Sequence, residues 1–257
     1  MKSSTLATLA PGVPSDYYQA IADAEGHHWW HRGMLAISDA LLGPRLNAGG
    51  RVLDAGCGTG GFLRFLTENG EFASVAGVDI ASTAIELASR RLPEADLRVA
   101  PLNDLPFEAQ SFELVVANDV LQHVPEGELP ESLRELHRVL VPGGTLFVRT
   151  NGSRRHRRER DDWRAYDFES LSTALASAGF ACERLTYANV VLSLVAAALG
   201  RSPVAPSAEG HGIPVGAGSP WKARLGLRLL RAEACWLSRP GRSLPYGHTL
   251  FAVAVRP

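Results

Sequence analysis

The chain has 257 residues, with 26 lysines and arginines against 27 aspartates and glutamates, and 46% of its residues are hydrophobic. A formal net charge of −1 argues against a dedicated nucleic-acid surface, whose footprint is a basic excess, and so many apolar residues can bury one large core in a single domain. The cysteines, Cys57, Cys182 and Cys235, are odd in number and indicate no disulfide framework.

Residues 1–14 are small, polar and broken by Pro11 and Pro14, so a flexible start without the apolar core of a signal peptide is expected. Ser15 is placed to cap a helix carrying Tyr17, Tyr18 and Ile21, and Met34, Ile37, Leu41 and Leu42 recur at helical spacing. Residues 15–48 therefore form a helical cap ahead of the first strand. Within it, His27-His28-Trp29-Trp30-His31-Arg32-Gly33 offers an aromatic face for a cation and a guanidinium for a carboxylate, or simple packing on a sheet. The three histidines lack further ligands nearby and no segment has zinc spacing, so no metal is expected.

Apolar runs at 51–55, 74–79, 97–100, 113–118 and 144–150 alternate with helical patterns at 61–69, 82–92 and 126–140, the order of a doubly wound α/β sheet. Thr83 and Glu86 have capping-box spacing, with Ser82 an equal candidate cap. A helix at 168–178 should end at Gly179 in a left-handed turn, and 180–187 and 248–255 read as the last strands. The cofactor-binding core is thus 49–187 and the last strand lies within 248–257, all in one domain spanning 15–257. Between them, 188–247 is a long insertion with a Pro/Gly/Ser-rich stretch at 202–220 and helical spacing at 221–237. It is expected to cover an acceptor pocket or to make an oligomer contact. The longest apolar run, 190–199, is too short to span a bilayer, so a cytoplasmic protein without membrane insertion is expected.

The most informative stretch is Val52-Leu53-Asp54-Ala55-Gly56-Cys57-Gly58-Thr59-Gly60-Gly61, a buried strand, a carboxylate at its end and a glycine turn into a helix. Gly56, Gly58 and Gly61 also satisfy the dinucleotide pattern G-x-G-x-x-G. Asp54 separates the two readings, because a pyrophosphate ~4 Å from that carboxylate is repelled by about 4 kcal/mol at an effective dielectric of 20. A cofactor with an ammonium and a sulfonium suits the turn better.

This segment resembles motif I of the class I S-adenosylmethionine-dependent methyltransferases. Three more landmarks follow in order: Ser74-Val75-Ala76-Gly77-Val78-Asp79-Ile80; Leu105-Pro106-Phe107 with residues 111–124 ending in His123-Val124; and Leu140-Val141-Pro142-Gly143-Gly144. The second of these is similar to a signature of the type 11, quinone-biosynthesis-like subgroup, the third is similar to the family's turn before the fifth strand, and the His-Trp-Trp segment is similar to one small-molecule branch. The resemblance implies a seven-stranded, mostly parallel sheet with the last strand antiparallel. It implies S-adenosylmethionine as cofactor, S-adenosylhomocysteine as product, and a small-molecule acceptor from secondary or cell-envelope metabolism, with no nucleic acid.

By the same resemblance, Gly56, Gly58 and Gly60 lie against the methionine and ribose moieties, with Ala55 among the cofactor-binding residues. Asp54 orders the glycine turn through backbone N–H groups or meets the cofactor amino group through water, or else is a strand-end cap. Asp79 clamps the ribose, Ile80 packs on adenine, the Leu102 N–H meets the adenine ring, and Asn118 lies near the reacting methyl. Arg32 would take the cofactor carboxylate. His123 is either the general base or a structural residue. The chain departs from the pattern at His31 for Phe, Met34 for Arg, Pro101 for an acid or Ser, and Asp162 for His. Asn103 or Asp104 is then left to reach the adenine amine. The run Arg154-Arg155-His156-Arg157-Arg158-Glu159-Arg160 would suit an anionic acceptor or be a solvated loop. The rival readings are an NAD(P)-dependent oxidoreductase and a non-catalytic S-adenosylmethionine-binding protein.

Overall fold

Seven apolar runs pair into one sheet: β1 (Arg51–Ala55), β2 (Ser74–Asp79), β3 (Asp96–Val99), β4 (Phe112–Asn118), β5 (Leu140–Asn151), β6 (Ala181–Ala188) and β7 (Thr249–Val255). This is seen in a computed structural model that describes residues 15–47, 49–152, 164–198 and 219–257. The expected flexible start, the arginine run at 154–160 and nearly all of the 202–220 stretch lie outside the described residues, as do Asp162 and the side chain of Tyr17. The strand order is β3-β2-β1-β4-β5-β7-β6. The first five strands are parallel, while β7 runs antiparallel to both β5 and β6. The expected architecture is therefore present, antiparallel last strand included.

Strand alternation splits the core into two layers. Leu53, Ala55, Val78, Val115, Ala117, Leu146, Val148 and Leu250 face one side, where α5 (Leu129–Val139) and α6 (Phe168–Ser177) cover them. Val52, Leu114, Val116, Phe147, Phe251 and Val253 face the other side. There they meet α2 (Trp29–Leu42), α3 (Gly61–Asn69) and α8 (Pro220–Leu237), with α1 (Ser15–Glu25) and α4 (Ser82–Arg91) on the same side.

Several boundaries differ from the sequence-based expectation for identifiable reasons. Helix α5 starts at Leu129, with proline in its first turn, after a separate turn in which the Glu128 N–H donates to the Pro125 carbonyl at 3.0 Å. Helix α4 is capped at Ala81 with no side-chain bond, so neither Ser82 nor Thr83 caps it. Strand β5 begins at Leu140, four residues early, because Leu140 already pairs with Phe112 before a register break.

Within the insertion, α7 (Val190–Ala198) and α8 are the described helices. Helix α8 is core rather than periphery, burying Leu230, Ala234 and Leu237. It crosses α2 at two glycines. A Cβ on Gly33 would overlap Leu230, and one on Gly226 would lie 2.6 Å from the Trp29 ring. Trp29 therefore serves packing. Among the described residues no helix is long and apolar enough to cross a membrane.

Candidate active site

Alternation also lines up the polar groups at the carboxyl ends of the central strands. Asp54 of β1 sits opposite Gly77 of β2 and Val116 of β4, so Asp79 and Asn118, each two residues on, share its sheet face. Asn118 in turn pairs with Arg149 of β5. Four polar side chains thus project from one edge into the space beneath α1 and α2.

The glycine turn leads out of β1. Gly56 has φ +85, and a Cβ there would lie 2.5 Å from Val120, so both backbone and space require glycine. The N–H groups of Gly56 and Cys57 donate to the Val78 carbonyl at 2.8 and 2.9 Å, closing the turn onto β2. A Cβ on Gly58 (φ +52) would have nothing within 4 Å, so this part of the turn is open. Gly60 (φ +83) starts α3 in the left-handed region. Cys57 is buried and its thiol is pushed far up by burial and then by the Asp54 and Asp79 charges, so it is no nucleophile.

The Asp79 carboxylate orders this turn. Oδ2 accepts the Gly58 N–H and Oδ1 the Ala81 N–H, both at 2.9 Å. Its pKa is raised by burial, against the pull of these backbone bonds. Each oxygen keeps lone-pair capacity for a diol. Ile80 beside it is half exposed, whereas Leu102 is buried in a turn whose preceding Ala100 N–H donates to the Asp79 carbonyl at 3.1 Å. Asn103 is tied to Glu128 at 3.1 Å, and Asp104 is exposed.

Asp54 and Asn118 differ from Asp79 and Arg149 on the same edge because they hold buried atoms without a partner. Asp54 is 1% exposed and its Oδ1 is unbonded; Asn118 is 9% exposed and both its amide atoms are unbonded. Burial raises the Asp54 pKa to about 7, opposed by the Arg149 charge and reinforced by Asp79 and Glu25. Native structures rarely leave such groups unsatisfied. Two acceptor oxygens and one amide donor match an α-ammonium and α-carboxylate, the head group of a methionine-derived cofactor.

Beside this pair, Asp119 adopts φ +54 and its N–H donates to the Arg149 carbonyl at 2.7 Å. Its carboxylate accepts from Arg149 Nε at 2.9 Å and Nη2 at 2.7 Å. The Arg149 guanidinium also lies 5.6 Å from the Trp30 ring centroid. His31, edge-on to Trp30 at 5.2 Å, has its pKa pulled to about 4 by burial and then by Arg149 and His28. Arg32, on the same helix, is exposed and its side chain makes no bond among the described residues.

His123 stands at the exposed rim, one turn beyond β4, with its N–H donated to the Val120 carbonyl at 2.9 Å. Its pKa is lowered by desolvation, with Asp119 opposing, so the ring is neutral at pH 7 and able to accept a proton. The turn that carries it is braced from behind. Gln122 Oε1 accepts from the Asn151 N–H at 3.0 Å and Thr150 Oγ1 at 3.2 Å. The Arg164 N–H donates to the Gln122 carbonyl at 3.0 Å, and the Tyr166 hydroxyl donates to the Leu121 carbonyl at 3.2 Å.

Sequence reasoning missed Arg149 and Glu25. Arg149 had a signal, a lone cation at the end of the apolar run Leu146-Phe147-Val148, on the same alternate face as Phe147. Glu25 had none, since its partners Thr59 and Arg91 are 34 and 66 residues away.

Comparison with known proteins accords with this geometry. Residues 53–148 match the family model described as a methyltransferase domain. The malonyl-[acyl-carrier protein] O-methyltransferase of Enterobacter lignolyticus is 33% identical over 155 residues, which is 58% of this chain and 60% of that protein. The demethylmenaquinone methyltransferase of Listeria welshimeri is 34% identical over 108 residues, 40% of this chain and 45% of that protein. The chain therefore spans about half the length of these curated relatives. Among solved structures, Haemonchus contortus phosphoethanolamine N-methyltransferase 2 in complex with S-adenosyl-L-methionine shares the fold, with a TM-score of 0.61 at 18% identity over 95% of this chain and 57% of that one. The segment 53–148, which carries the glycine turn and strands β2 to β4, thus matches a type 11 methyltransferase domain.

Proposed function

We propose that the chain transfers a methyl group from S-adenosylmethionine to a small-molecule acceptor. The observation that carries this reading is the set of buried, unpartnered atoms Asp54 Oδ1, Asn118 Oδ1 and Asn118 Nδ2 beside an open glycine turn. Asp54 and the Asn118 oxygen receive the cofactor ammonium, and Arg32 and Asn118 Nδ2 offer donors to its carboxylate. The turn backbone of Ala55, Gly56, Gly58 and Gly60 lies along the methionine and ribose, Asp79 accepts the ribose hydroxyls, and Ile80 and Leu102 bracket the adenine. When bound, the cofactor supplies an activated methyl on a sulfonium at the edge formed by Asn118.

The chain's own contribution is then positioning and proton removal. Holding the acceptor atom collinear with the methyl supplies most of the acceleration. His123, neutral and braced through Gln122, takes the proton from an acceptor hydroxyl or ammonium. The proposed acceptor is a small molecule, a secondary or cell-envelope metabolite. One domain over 15–257 and a cytoplasmic setting belong to the same proposal; three free cysteines fit a reducing compartment.

Two measurements test it. A ligand of the folded state raises its melting temperature, so S-adenosylhomocysteine should shift the unfolding curve upward and NADH should leave it in place. The reverse pattern would make the chain an oxidoreductase. His123→Gln is expected to lower kcat about 100-fold while S-adenosylhomocysteine affinity stays within about twofold. An unchanged kcat would assign His123 a structural role.

A further inference from the structure

Glu25 closes α1 directly over the glycine turn. Thr59 Oγ1 donates to Glu25 Oε2 at 2.9 Å, and Arg91 Nη1 donates to the same oxygen at 2.7 Å and to the Thr59 carbonyl at 3.1 Å. Arg91 Nη2 reaches the Ala22 carbonyl one turn back along α1. Thr59 is 1% exposed and the Glu25 side chain 19%, so this junction is largely shielded from solvent. A Cβ on Gly61 would overlap the Glu25 carboxylate. Gly61 is the third glycine of the G-x-G-x-x-G pattern, and here its missing side chain makes room for the chain's own anion.

That placement has an electrostatic consequence. In dinucleotide-binding folds the first turn of this helix is where a pyrophosphate sits, drawn by the exposed N–H groups and the helix dipole. In this chain Glu25 already lies against that turn. The Asp54 carboxyl, buried and with an unbonded oxygen, adds to the negative field once it ionises. Arg91 keeps Glu25 in place and is itself neutralised by it.

We propose that Glu25 sets the charge selectivity of the cradle: held on the first turn of α3 by Thr59 and Arg91, it rejects phosphate-bearing nucleotides and leaves the site to a cationic nucleoside. This inference rests on the cofactor reading above and extends it to a residue outside the family-matched segment.

The test uses the full chain, calorimetry, and two probes, ADP and S-adenosylhomocysteine. Glu25→Gln keeps the size and the bond to Thr59 but removes the charge and leaves Arg91 positive beside the turn. The ratio of the ADP Kd to the S-adenosylhomocysteine Kd should fall at least about tenfold, and adding Arg91→Met should reverse most of that fall. Arg91→Met alone should raise the ratio, since it leaves Glu25 without its counter-charge; this variant keeps the idea testable should Glu25→Gln fail to fold. A residue that merely holds α1 in place would weaken both ligands alike, so an unchanged ratio in both variants overturns the proposal. Failure of the wild-type chain to bind S-adenosylhomocysteine would instead strike the cofactor reading itself.

Discussion

Replacing Asp54 with asparagine is expected to make the ligand-free protein more stable at pH 8 and, in the same stroke, to disable cofactor binding. The Asp54 carboxyl is buried and its pKa rises from 3.8 to about 7 on folding. Below the unfolded pKa both states carry the proton and no stability is lost. Between pH 3.8 and about 7 the unfolded chain has released the proton and the native chain has not, so stability falls as pH rises through this window and stays low above it. At ~1.36 kcal/mol per pKa unit, the shift is on the order of 4 kcal/mol at pH 8. Asp54→Asn removes this contribution, so its stability should fall less across that window and its melting temperature at pH 8 should be higher by several degrees. The cofactor ammonium loses a charge-assisted bond, worth roughly 1.5–3 kcal/mol, or about 10- to 150-fold in Kd. Unfolding curves from pH 4 to 8 and a titration with S-adenosylmethionine check both halves. A destabilised variant with a steeper pH slope would mean that Asp54 is held ionised by a partner.

Arg149→Met should have the opposite effect on stability. The Arg149 side chain is 10% exposed and carries the ion pair to Asp119, itself 33% exposed, together with the contact to Trp30. Removing one partner of a shielded pair leaves an uncompensated charge, which costs about 3 kcal/mol when the other partner keeps some solvent. Changing Asp119→Asn in the same molecule should restore part of that loss, as it removes the stranded carboxylate. Arg149 is also the neighbour that pulls the Asp54 pKa down. Without it Asp54 keeps its proton to higher pH, so the pH at which cofactor binding reaches half its limit should move upward. Urea unfolding at pH 8 and binding curves against pH separate the two consequences. Unchanged stability would show the pair to be a surface contact of little weight.

The two predictions also mark what can be read from sequence and what cannot. Strands β1, β2 and β4 were visible because each is an apolar run stopped by a polar residue: Asp54 before its glycine turn, Asp79, and Asn118. Local grammar delivered these same residues as site candidates, since a carboxylate or amide at the end of a buried parallel strand lies at the edge where such sheets bind ligands. Long-range pairing was not visible. Glu25 looks like an ordinary helix-ending acid until Thr59 and Arg91 are folded onto it. For Trp29 the sequence left both a cation-facing role and packing open, and the contact with Gly226 identifies packing. The 221–237 helix was legible from its spacing, but its burial against α2 was not, because Gly33 and Gly226 carry no side chain to announce a helix crossing. Arg164 and Tyr166 brace the His123 turn from 41 and 43 residues away, a pairing no local pattern announces.

The central claim is that a buried, titrating carboxylate at the end of β1 receives a positively charged nucleoside. Calorimetric titration with S-adenosylhomocysteine, whose amino group it shares with the cofactor, at pH 8 and pH 6 tests this most directly. If binding needs Asp54 ionised with its pKa of about 7, the Kd should weaken about tenfold at the lower pH, with nearly one proton released per molecule bound there. Saturation by NADH with no heat from S-adenosylhomocysteine at either pH would contradict the account.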